Sequence, residues 1–429
     1  MIHGFAQVWK RALYLAPRAR LNRRRDITLL LRCLAMIALR RPLLLLTLAA
    51  LVGATIAATP AEAAKRKVPF GFFGTVLQPE SAQVPDLVIE RQMALMASSG
   101  VESLRASFSW ARIEPRQGVY DWTRTDSLVR AASSHRLELL ANVLETPQWA
   151  KGRTVPRYPT GTPPKSPQAF AGFVRQLVLR YGPQGTFWAQ NPGVPRVPIR
   201  RWQIWNEQMA PWFWSKRPWA PSYTKALKGA YKVIHQADPG AAVVAGSFVA
   251  IAGYSQWRGV KDLYRAGAKR YFDEIAVHPF SNVPNSVRLS IDRMLEIVRR
   301  VRAEMRKRGD GRKPIILTEL TWPAAVGKVP KRRLLGLETT ARGQKARMKA
   351  AYKRLAVVKR QLRITRAYWF SWATAYDAKS TFTDVSYRFA GLTRRQGNVF
   401  SPMPILRTYT SLAAKYEGCR KGEDARDCR

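Results

Sequence analysis

The sequence predicts an α/β protein folded as a single (β/α)8 barrel, the TIM-barrel architecture. Eight short β-rich runs alternate with amphipathic helical patterns after residue 65, and no linker rich in Gly, Ser or Pro separates a second core. Eight parallel strands, each followed by a helix, close into such a barrel. A doubly wound sheet would normally carry a glycine-rich phosphate loop after its first strand, and Gly71-Phe72-Phe73-Gly74 does not have that pattern.

The elements follow in order along the chain. Ile291, Met294, Leu295 and Val298 show the helical spacing most clearly, because they repeat at i, i+3, i+4 and i+7. Similar faces are predicted around 89–96, 223–234, 348–355 and 402–416. The predicted strands are Val68–Val76, Val101–Phe108, Leu137–Leu144, Ile199–Asn206, Ala241–Gly246, Phe272–His278, Pro314–Leu320 and Arg366–Ala373.

Composition narrows the function classes. Of 429 residues, 46% are hydrophobic and 24% are charged, which excludes wholesale disorder and a multi-span membrane protein. Three Cys exclude a disulfide scaffold and a Cys-rich metal site. The four His are scattered and do not form a metal-ligand spacing such as HExxH.

The chain is strongly basic, with a formal net charge of +45. Residues 1–63 carry +8 of this charge and the remainder carries +37, concentrated in 288–313 and 328–366. Such a field favours polyanions, including nucleic acid, anionic lipid and acidic polysaccharide. The alternative is that Lys and Arg cover the solvent-facing sides of helices.

The N-terminal segment resembles a secretion signal. Leu43–Ala58 is uncharged and mostly apolar, follows Arg40-Arg41 and precedes Ala61-Glu62-Ala63, so cleavage is expected after about Ala63. Met36 would be a better start than Met1, since the preceding stretch is too long and too rich in Arg for a signal. The expected location is therefore extracellular; the alternative is an uncleaved membrane anchor carrying an extracellular barrel.

These features predict three segments: a targeting extension over 1–63, a barrel over 65–416 and a polar tail over 417–429. Export would place Cys419 and Cys428 in an oxidising compartment, where they can form a small disulfide loop. The alternative is two unpaired thiols. Of two long connections, Thr146–Pro167 follows strand three and is expected on the active face, whereas Gly182–Pro198 precedes strand four and is expected on the opposite face with a structural role.

Two glutamates lie at predicted strand ends. Glu207 follows strand four and Glu319 closes strand seven, each after an apolar run where an acid is disfavoured unless it faces the barrel mouth. Both would converge on one cavity, because the C-terminal strand ends of a barrel share one face. Two convergent carboxylates suit cleavage of a glycosidic bond. A lone Asn-Glu dipeptide would more often be an ordinary loop sequence.

Trp205-Asn206-Glu207 closing strand four, together with Thr318-Glu319 closing strand seven, resembles the retaining glycoside hydrolases of clan A. The similarity is closest to the family 39-like and family 5-like branches, which include bacterial enzymes acting on exopolysaccharide, and it spans about 68–416. The resemblance implies that Glu207 is the general acid/base and Glu319 the nucleophile. It also implies that Asn206 contacts the 2-hydroxyl of the sugar.

Two further polar residues are expected at the site. Arg105 lies within strand two, where a buried guanidinium requires an anionic partner. The resemblance implies that it keeps the nucleophile ionised, and the alternative is a structural ion pair. His278 ends strand six. Two positions later, clan members often carry a Tyr that hydrogen-bonds the nucleophile, but this chain has Phe280. Either the hydroxyl of another residue, such as Tyr376 or Tyr223, makes this hydrogen bond, or the hydrogen bond is missing.

Tryptophans are frequent near the predicted mouth. Indole faces pack against the C–H faces of sugars, so these residues suit a carbohydrate cleft, although each is equally suited to the core. Trp372 is the foremost candidate, because the clan usually places a Trp there beneath the reacting sugar. The other candidates for substrate contact are Trp149, Trp212 and Trp322.

The expected activity is retaining hydrolysis of β-O-glycosidic bonds in a polysaccharide or oligosaccharide, with no metal and no cofactor. An acidic polymer is a further expectation from the charge, whereas no specific nucleic acid is expected and a membrane is involved only if the N-terminal segment stays uncleaved. A monomer is expected. The alternative function is a non-catalytic carbohydrate-binding or cell-wall barrel. The sequence leaves open exo or endo action, and hydrolysis or transglycosylation.

Overall fold

The computed structural model describes residues 65–251, 253–375 and 385–419. The predicted signal segment, Met36, Tyr376 and Cys428 lie outside these ranges. Cys419 is disulfide-bonded; its pairing with Cys428 stays a prediction.

Eight parallel strands close into a barrel in chain order, with the eighth paired to the first. This confirms the predicted (β/α)8 fold. The strands are β1 (Phe73–Leu77), β2 (Ser103–Ser109), β3 (Glu138–Leu144), β4 (Arg201–Ile204), β5 (Ala242–Phe248), β6 (Glu274–Val277), β7 (Ile315–Leu320) and β8 (Ile364–Trp369).

Helices connect the strands, and each predicted helical face lies within one of them, except that the face predicted over 402–416 begins two residues before its helix. In this fold, the helix that follows a strand begins near the C-terminal end of that strand. The C-terminal ends of the strands together surround the mouth of the barrel. The helices are α1 (Pro79–Ala82), α2 (Asp86–Ser98), α3 (Trp110–Ile113), α4 (Thr123–Ser134), α5 (Pro167–Tyr181), α6 (Thr186–Gln190), α7 (Trp219–Ala237), α8 (Gln256–Arg265), α9 (Val287–Lys307), α10 (Ala341–Leu362) and α11 (Pro404–Glu417).

Most predicted strand boundaries differ from the observed ones by one or two residues, and two differ by more. β1 starts at Phe73 rather than Val68, because Gly71 has a φ of 79° and turns the chain before the strand begins. β8 ends at Trp369, and Ala373–Ala375 forms a separate strand, β9. β9 pairs in parallel with β10 (Thr393–Gln396), which pairs antiparallel with β11 (Val399–Pro402). This small sheet after β8 was not predicted.

The interior of the barrel is packed rather than open. Val76, Leu140, Val244 and Ile316 contribute one buried apolar side chain from each odd-numbered strand. Such a layer of four from alternate strands is typical of the fold. The much larger second core lies between the strands and the surrounding helices.

Charged side chains close the bottom of the barrel, opposite the mouth. Arg366 donates to Glu138 Oε2 at 2.5 Å, and Arg201 lies 3.8 Å from Glu138 and 3.4 Å from Glu274. Burial raises the pKa of Glu274, and Arg201 and Arg366 oppose this rise. We assign this network a structural role, because active-site residues of such barrels lie at the C-terminal face, whereas the N-terminal face contributes to stability.

Across the described part of the chain, the structure contains no helix with the length and apolar character required to cross a membrane.

Candidate active site

The chain turns sharply where β4 ends. Trp205 and Glu207 have φ values of 69° and 41°, in the left-handed region that non-glycine residues rarely adopt. Two contacts support this conformation: Trp205 Nε1 donates to the carbonyl of Phe213 at 2.6 Å, and the backbone N–H of Glu207 donates to Ser247 Oγ at 3.0 Å. Strained backbone persists only where surrounding contacts impose it, and it is common at functional sites.

Glu319 lies in β7, one residue before the strand ends, and is 8% exposed. One of its carboxylate oxygens lies within 4.8 Å of one from Glu207. The structure therefore brings the two predicted glutamates together, although 112 positions separate them in the chain.

Arg105 connects three strands at this point. From β2, its Nη1 donates to Glu319 Oε1 at 2.8 Å, its Nη2 to Asn206 Oδ1 at 2.7 Å and its Nε to Gln203 Oε1 at 2.9 Å. The guanidinium is buried, with a side-chain exposure of 4%. A buried charge of this kind is stable only when its donors are paired, so the planar fork fixes Asn206 and Glu319 relative to each other.

His278 lies between the two carboxylates. Its Nδ1 is 2.7 Å from Glu207 Oε1, and its Nε2 is 3.5 Å from Glu319 Oε1. The imidazole is fully buried, and this burial lowers the pKa of His278 to about 4, although the charge of Glu319 acts in the opposite direction. The ring is therefore neutral near pH 7 and carries one N–H.

The electrostatics of Glu319 combine opposing effects. Burial raises the pKa of this carboxyl above its ordinary value. His278 and Arg105 lower it, whereas the nearby charge of Glu207 raises it further. Arg105 and His278 both approach Oε1 of Glu319. The other oxygen, Oε2, accepts no hydrogen bond from the described residues and is partly exposed. Oε2 is thus the oxygen available to the mouth.

Glu207, His278 and Glu319 also form a donor set that could hold a metal ion, since one ligand atom from each lies within 4.8 Å of the others. The two ring nitrogens of His278, however, each face a different carboxylate. Nδ1 is hydrogen-bonded to Glu207, whereas Nε2 is 3.5 Å from Glu319 and forms no hydrogen bond with the described residues. That the protein needs no metal stays a prediction.

Sequence reasoning missed two residues that organise the site. Ser247, in β5, accepts from the Glu207 backbone and donates from Oγ to Asn206 Oδ1 at 2.9 Å. Gln203, in β4, binds Arg105 and also donates to the carbonyl of Trp205 at 2.9 Å. Ser247 is the single polar residue of the otherwise apolar strand β5, which is a signal for it; Gln203 shares the short strand β4 with Arg201 and has no comparable signal.

Two tryptophans proposed as sugar contacts do not reach the mouth. Trp372 is 0% exposed and Trp322 is 1% exposed, and both belong to the core outside the barrel. Trp322 Nε1 donates to the carbonyl of Ser281 at 2.7 Å. These two predictions were wrong, because both indoles are packed among other core residues and leave no surface for a sugar. Trp149 is half-buried and Trp212 is 47% exposed, so both remain available for contact.

Other aromatic residues lie beside the triad. The ring of Phe280 is 5.5 Å from that of His278 and 6.4 Å from Tyr387, whose ring is 5.1 Å from Phe370. Phe370 packs with the apolar residues inside the barrel. The hydroxyl of Tyr223 donates to the carbonyl of Ile204 at 2.7 Å, so it does not replace the expected tyrosine contact to Glu319.

Comparison with known proteins gives a partial sequence match and an extensive structural one. Residues 77–166 match a family model described as beta-galactosidase of glycoside hydrolase family 42. This segment contains Arg105 but neither glutamate. No curated protein matches the chain.

Solved structures share the fold. A family 39 glycoside hydrolase from Bacteroides cellulosilyticus WH2 superposes with a TM-score of 0.57 at 16% identity, covering 81% of this chain and 64% of its own. A monomeric beta-xylosidase from Caulobacter crescentus CB15 superposes with a TM-score of 0.56 at 18% identity, covering 82% of this chain and 70% of its own. The chain resembles clan A glycoside hydrolases in both sequence and fold.

A family 5 variant from Bifidobacterium longum, determined with the disaccharide Manb1-4GlcNAc, gives a TM-score of 0.53 at 16% identity and covers 80% of this chain and 78% of its own. The chain spans less than two thirds of the Bacteroides enzyme. These likenesses establish the barrel fold of clan A glycosidases; the activity of this chain is argued from its own residues below.

Proposed function

We propose that the protein is a glycosidase that cleaves β-O-glycosidic bonds of a polysaccharide or oligosaccharide with retention of configuration. The observation that carries this proposal is the approach of Glu207 and Glu319 to within 4.8 Å across the mouth. Retaining enzymes place their two carboxyl groups about 5–5.5 Å apart, whereas inverting enzymes need about 6.5–9.5 Å to admit a water.

In the first step, Glu319 Oε2 attacks the anomeric carbon as the bond to the leaving oxygen breaks, and Glu207 gives its proton to that oxygen. A glycosyl ester on Glu319 results. Glu207 then removes a proton from water, which attacks the same carbon; the ester bond breaks and the Glu319 carboxylate is restored. Two inversions at one carbon give net retention. A sugar hydroxyl in place of water would give transglycosylation.

The contacts support these roles. Arg105 binds the oxygen of Glu319 that does not attack, and so favours the ionised form of the nucleophile. The neutral His278 can accept the Glu207 proton at Nδ1 while its Nε2–H faces Glu319. This tautomer places the proton on the proposed acid and the negative charge on the proposed nucleophile, which is the distribution that the first step requires.

Replacement of each carboxylate tests the roles separately. Glu207→Ala and Glu319→Ala should each lower kcat by about 10²–10⁴-fold on aryl β-glycosides with a poor leaving group. Azide should rescue Glu207→Ala with a product of the substrate's configuration, and Glu319→Ala with the opposite configuration, because azide then takes the place of the missing group. Glu145→Gln, an exposed residue after β3, is the matched control.

The anomeric configuration of the first product, followed by NMR, completes this test. An inverted product from the wild-type chain would exclude double displacement, and full activity in Glu319→Ala would exclude Glu319 as the nucleophile. Binding of a glycan by the wild-type chain without any hydrolysis would favour a non-catalytic barrel. A panel of neutral and uronate-bearing glycans, assayed at low salt, tests the proposal that the substrate is acidic.

We also propose that the protein is exported. The apolar run Leu43–Ala58 between Arg40-Arg41 and Ala61-Glu62-Ala63 supports this, as does the disulfide at Cys419. N-terminal sequencing of the mature protein checks both the export and the start at Met36: a chain that begins near residue 64 supports export, and one that retains Met1 contradicts it.

A further inference from the structure

A basic pocket lies between α10 and α11, outside the barrel mouth. Its volume is about 350 Å³, and it is lined by Lys345, Lys349, Pro404, Arg407, Thr408 and Ser411. We call these six residues the basic pocket. It contains three cations and two hydroxyl groups but no carboxylate, so its lining is suited to an anion.

The sequence around the basic pocket contains almost no acid. Neither 339–375 nor 385–416 includes an Asp or Glu, although both segments are rich in Lys and Arg. Within the ranges that the structure describes, Lys345, Lys349 and Arg407 form no ion pair. The positive charge of the pocket is therefore not compensated by these neighbours.

The neighbouring helix α9 shows how an ordinary solvated basic face is built in this protein. Its cations are interleaved with acids: Arg288 lies 3.3 Å from Asp292, and Arg300 lies 2.8 Å from Glu296. Such i, i+4 pairs stabilise an exposed helix. α10 contains Lys and Arg as often as α9 does, but it contains no Asp or Glu. An ordinary solvent-exposed helix face therefore does not explain the composition of α10.

The cations also occupy unfavourable helix positions. Arg407 lies in the first turn of α11, which has neither a side-chain cap nor an acid there, and Lys345 lies near the start of α10. The N-terminal end of a helix carries partial positive charge and favours anions, so cations at this end destabilise the helix. The partial positive charges of the two helix N-termini and the full charges of Lys345, Lys349 and Arg407 therefore combine into one region of positive electrostatic potential.

The position of the basic pocket relates it to the mouth. α10 follows β7, which carries Glu319, and α11 follows β8. Since each helix begins near the C-terminal end of the preceding strand, the first turns of both helices lie at the rim of the mouth. Lys345 and Lys349 are one turn apart, a rise of about 6 Å, which is comparable to the length of one sugar unit.

We propose that the basic pocket binds carboxylate groups of a uronate-bearing polysaccharide and holds the polymer at the rim while another part of the same chain occupies the mouth. The proposal rests on the proposed glycosidase function for the identity of the polymer. The anion site itself rests only on the lining of the pocket and on its charge.

Binding of polymannuronate, a β-linked uronate polymer, to the full chain tests the proposal, with Glu319→Gln as the background so that hydrolysis does not interfere. Neutralising the pocket with Lys345→Gln, Lys349→Gln and Arg407→Gln should weaken binding about tenfold at low ionic strength and reduce the salt dependence of Kd. The matched control removes three exposed charges elsewhere, with Lys225→Gln, Lys232→Gln and Arg270→Gln. It should change Kd less than about twofold.

Equal weakening by the two triple variants would overturn the proposal, because net charge alone would then explain binding. If the binding of DNA or of a sulfated glycan is weakened by the triple substitution in the pocket while the binding of polymannuronate is not, the proposal is overturned in favour of that ligand. If the triple variant does not fold, Lys349→Gln and Arg407→Gln, both at exposed positions, should each weaken binding about two- to threefold. Hydrolysis of short neutral glycosides by the wild-type chain is assayed separately, so failure of the proposed function is distinguished from failure of the pocket.

Discussion

The imidazole of His278 is in hydrogen-bond contact with Glu207, with Nδ1 2.7 Å from Oε1. Because the ring is fully buried and faces the second carboxylate as well, its protonation state governs the charge of the whole site.

The buried imidazole should make the protein less stable in acid. Burial lowers the pKa of His278 from 6.5 to about 4 in the folded chain. Between these two values the unfolded chain binds the proton more strongly, so the free energy of unfolding falls as the pH decreases from about 6.5 to 4, by roughly 3 kcal/mol. In His278→Gln this part of the pH dependence should disappear. Urea unfolding at several pH values measures it, and an unchanged pH dependence in the variant would contradict the prediction.

Loss of Arg105 should make the activity more sensitive to acid. Burial already raises the pKa of Glu319, and Arg105 opposes this rise. Without Arg105 the pKa increases further, so a larger fraction of the nucleophile is protonated at a given pH and the acid limb of kcat/KM moves to higher pH. Arg105→Met should also lower kcat/KM by about 10²-fold or more at pH 7.

Arg105→Lys is the informative partner variant. It keeps the positive charge but loses the fork that binds Asn206 and Gln203. We expect the acid limb to return towards that of the wild type while kcat/KM stays low. Identical pH profiles for Arg105→Met and the wild type would show that the guanidinium does not control the ionisation of Glu319.

Ser247 should act as a positioning residue. Its hydroxyl accepts from the backbone of Glu207 and donates to Asn206, so Ser247→Ala removes both contacts and leaves the strained turn less constrained. We expect kcat to fall about 10-fold, with a smaller change in KM. Ser247→Thr should restore much of the loss. Ser103→Ala, which removes the 2.5 Å contact with Tyr368 at another site, is the control: it should lower stability by about 1 kcal/mol without changing kcat. Equal kcat in Ser247→Ala and the wild type would exclude the role.

The aromatic residues at the mouth and in the core should behave differently. Tyr387 is half-buried beside Phe370 and Phe280, so Tyr387→Ala should raise KM about fivefold or more if these rings contact the sugar. Trp372→Phe should leave KM unchanged and lower the free energy of unfolding by about 1–3 kcal/mol, because Trp372 is fully buried. A large rise of KM in Trp372→Phe would contradict the placement of this residue in the core.

Much of the fold could be predicted because periodicity is a local property. Eight apolar runs and the helical faces between them are visible in the order of residues, and the closure of parallel strands into a barrel follows from their alternation with helices. β9 was not predicted as a separate strand because it has only three residues and pairs with β10, which lies about 20 residues further along the chain. Short strands are defined by pairing rather than by their own sequence.

The sequence by itself determined that Glu207 and Glu319 end strands of one barrel, because strand ends are marked by local apolar runs and all the C-terminal ends of a barrel meet at one face. Only the tertiary structure decided which side chains complete the site. The contacts of Ser247, Gln203 and His278 join residues from different strands. Likewise, the burial of Trp372 was decided by tertiary packing, because this residue lies after the end of β8, where no strand periodicity indicates which side chains are exposed.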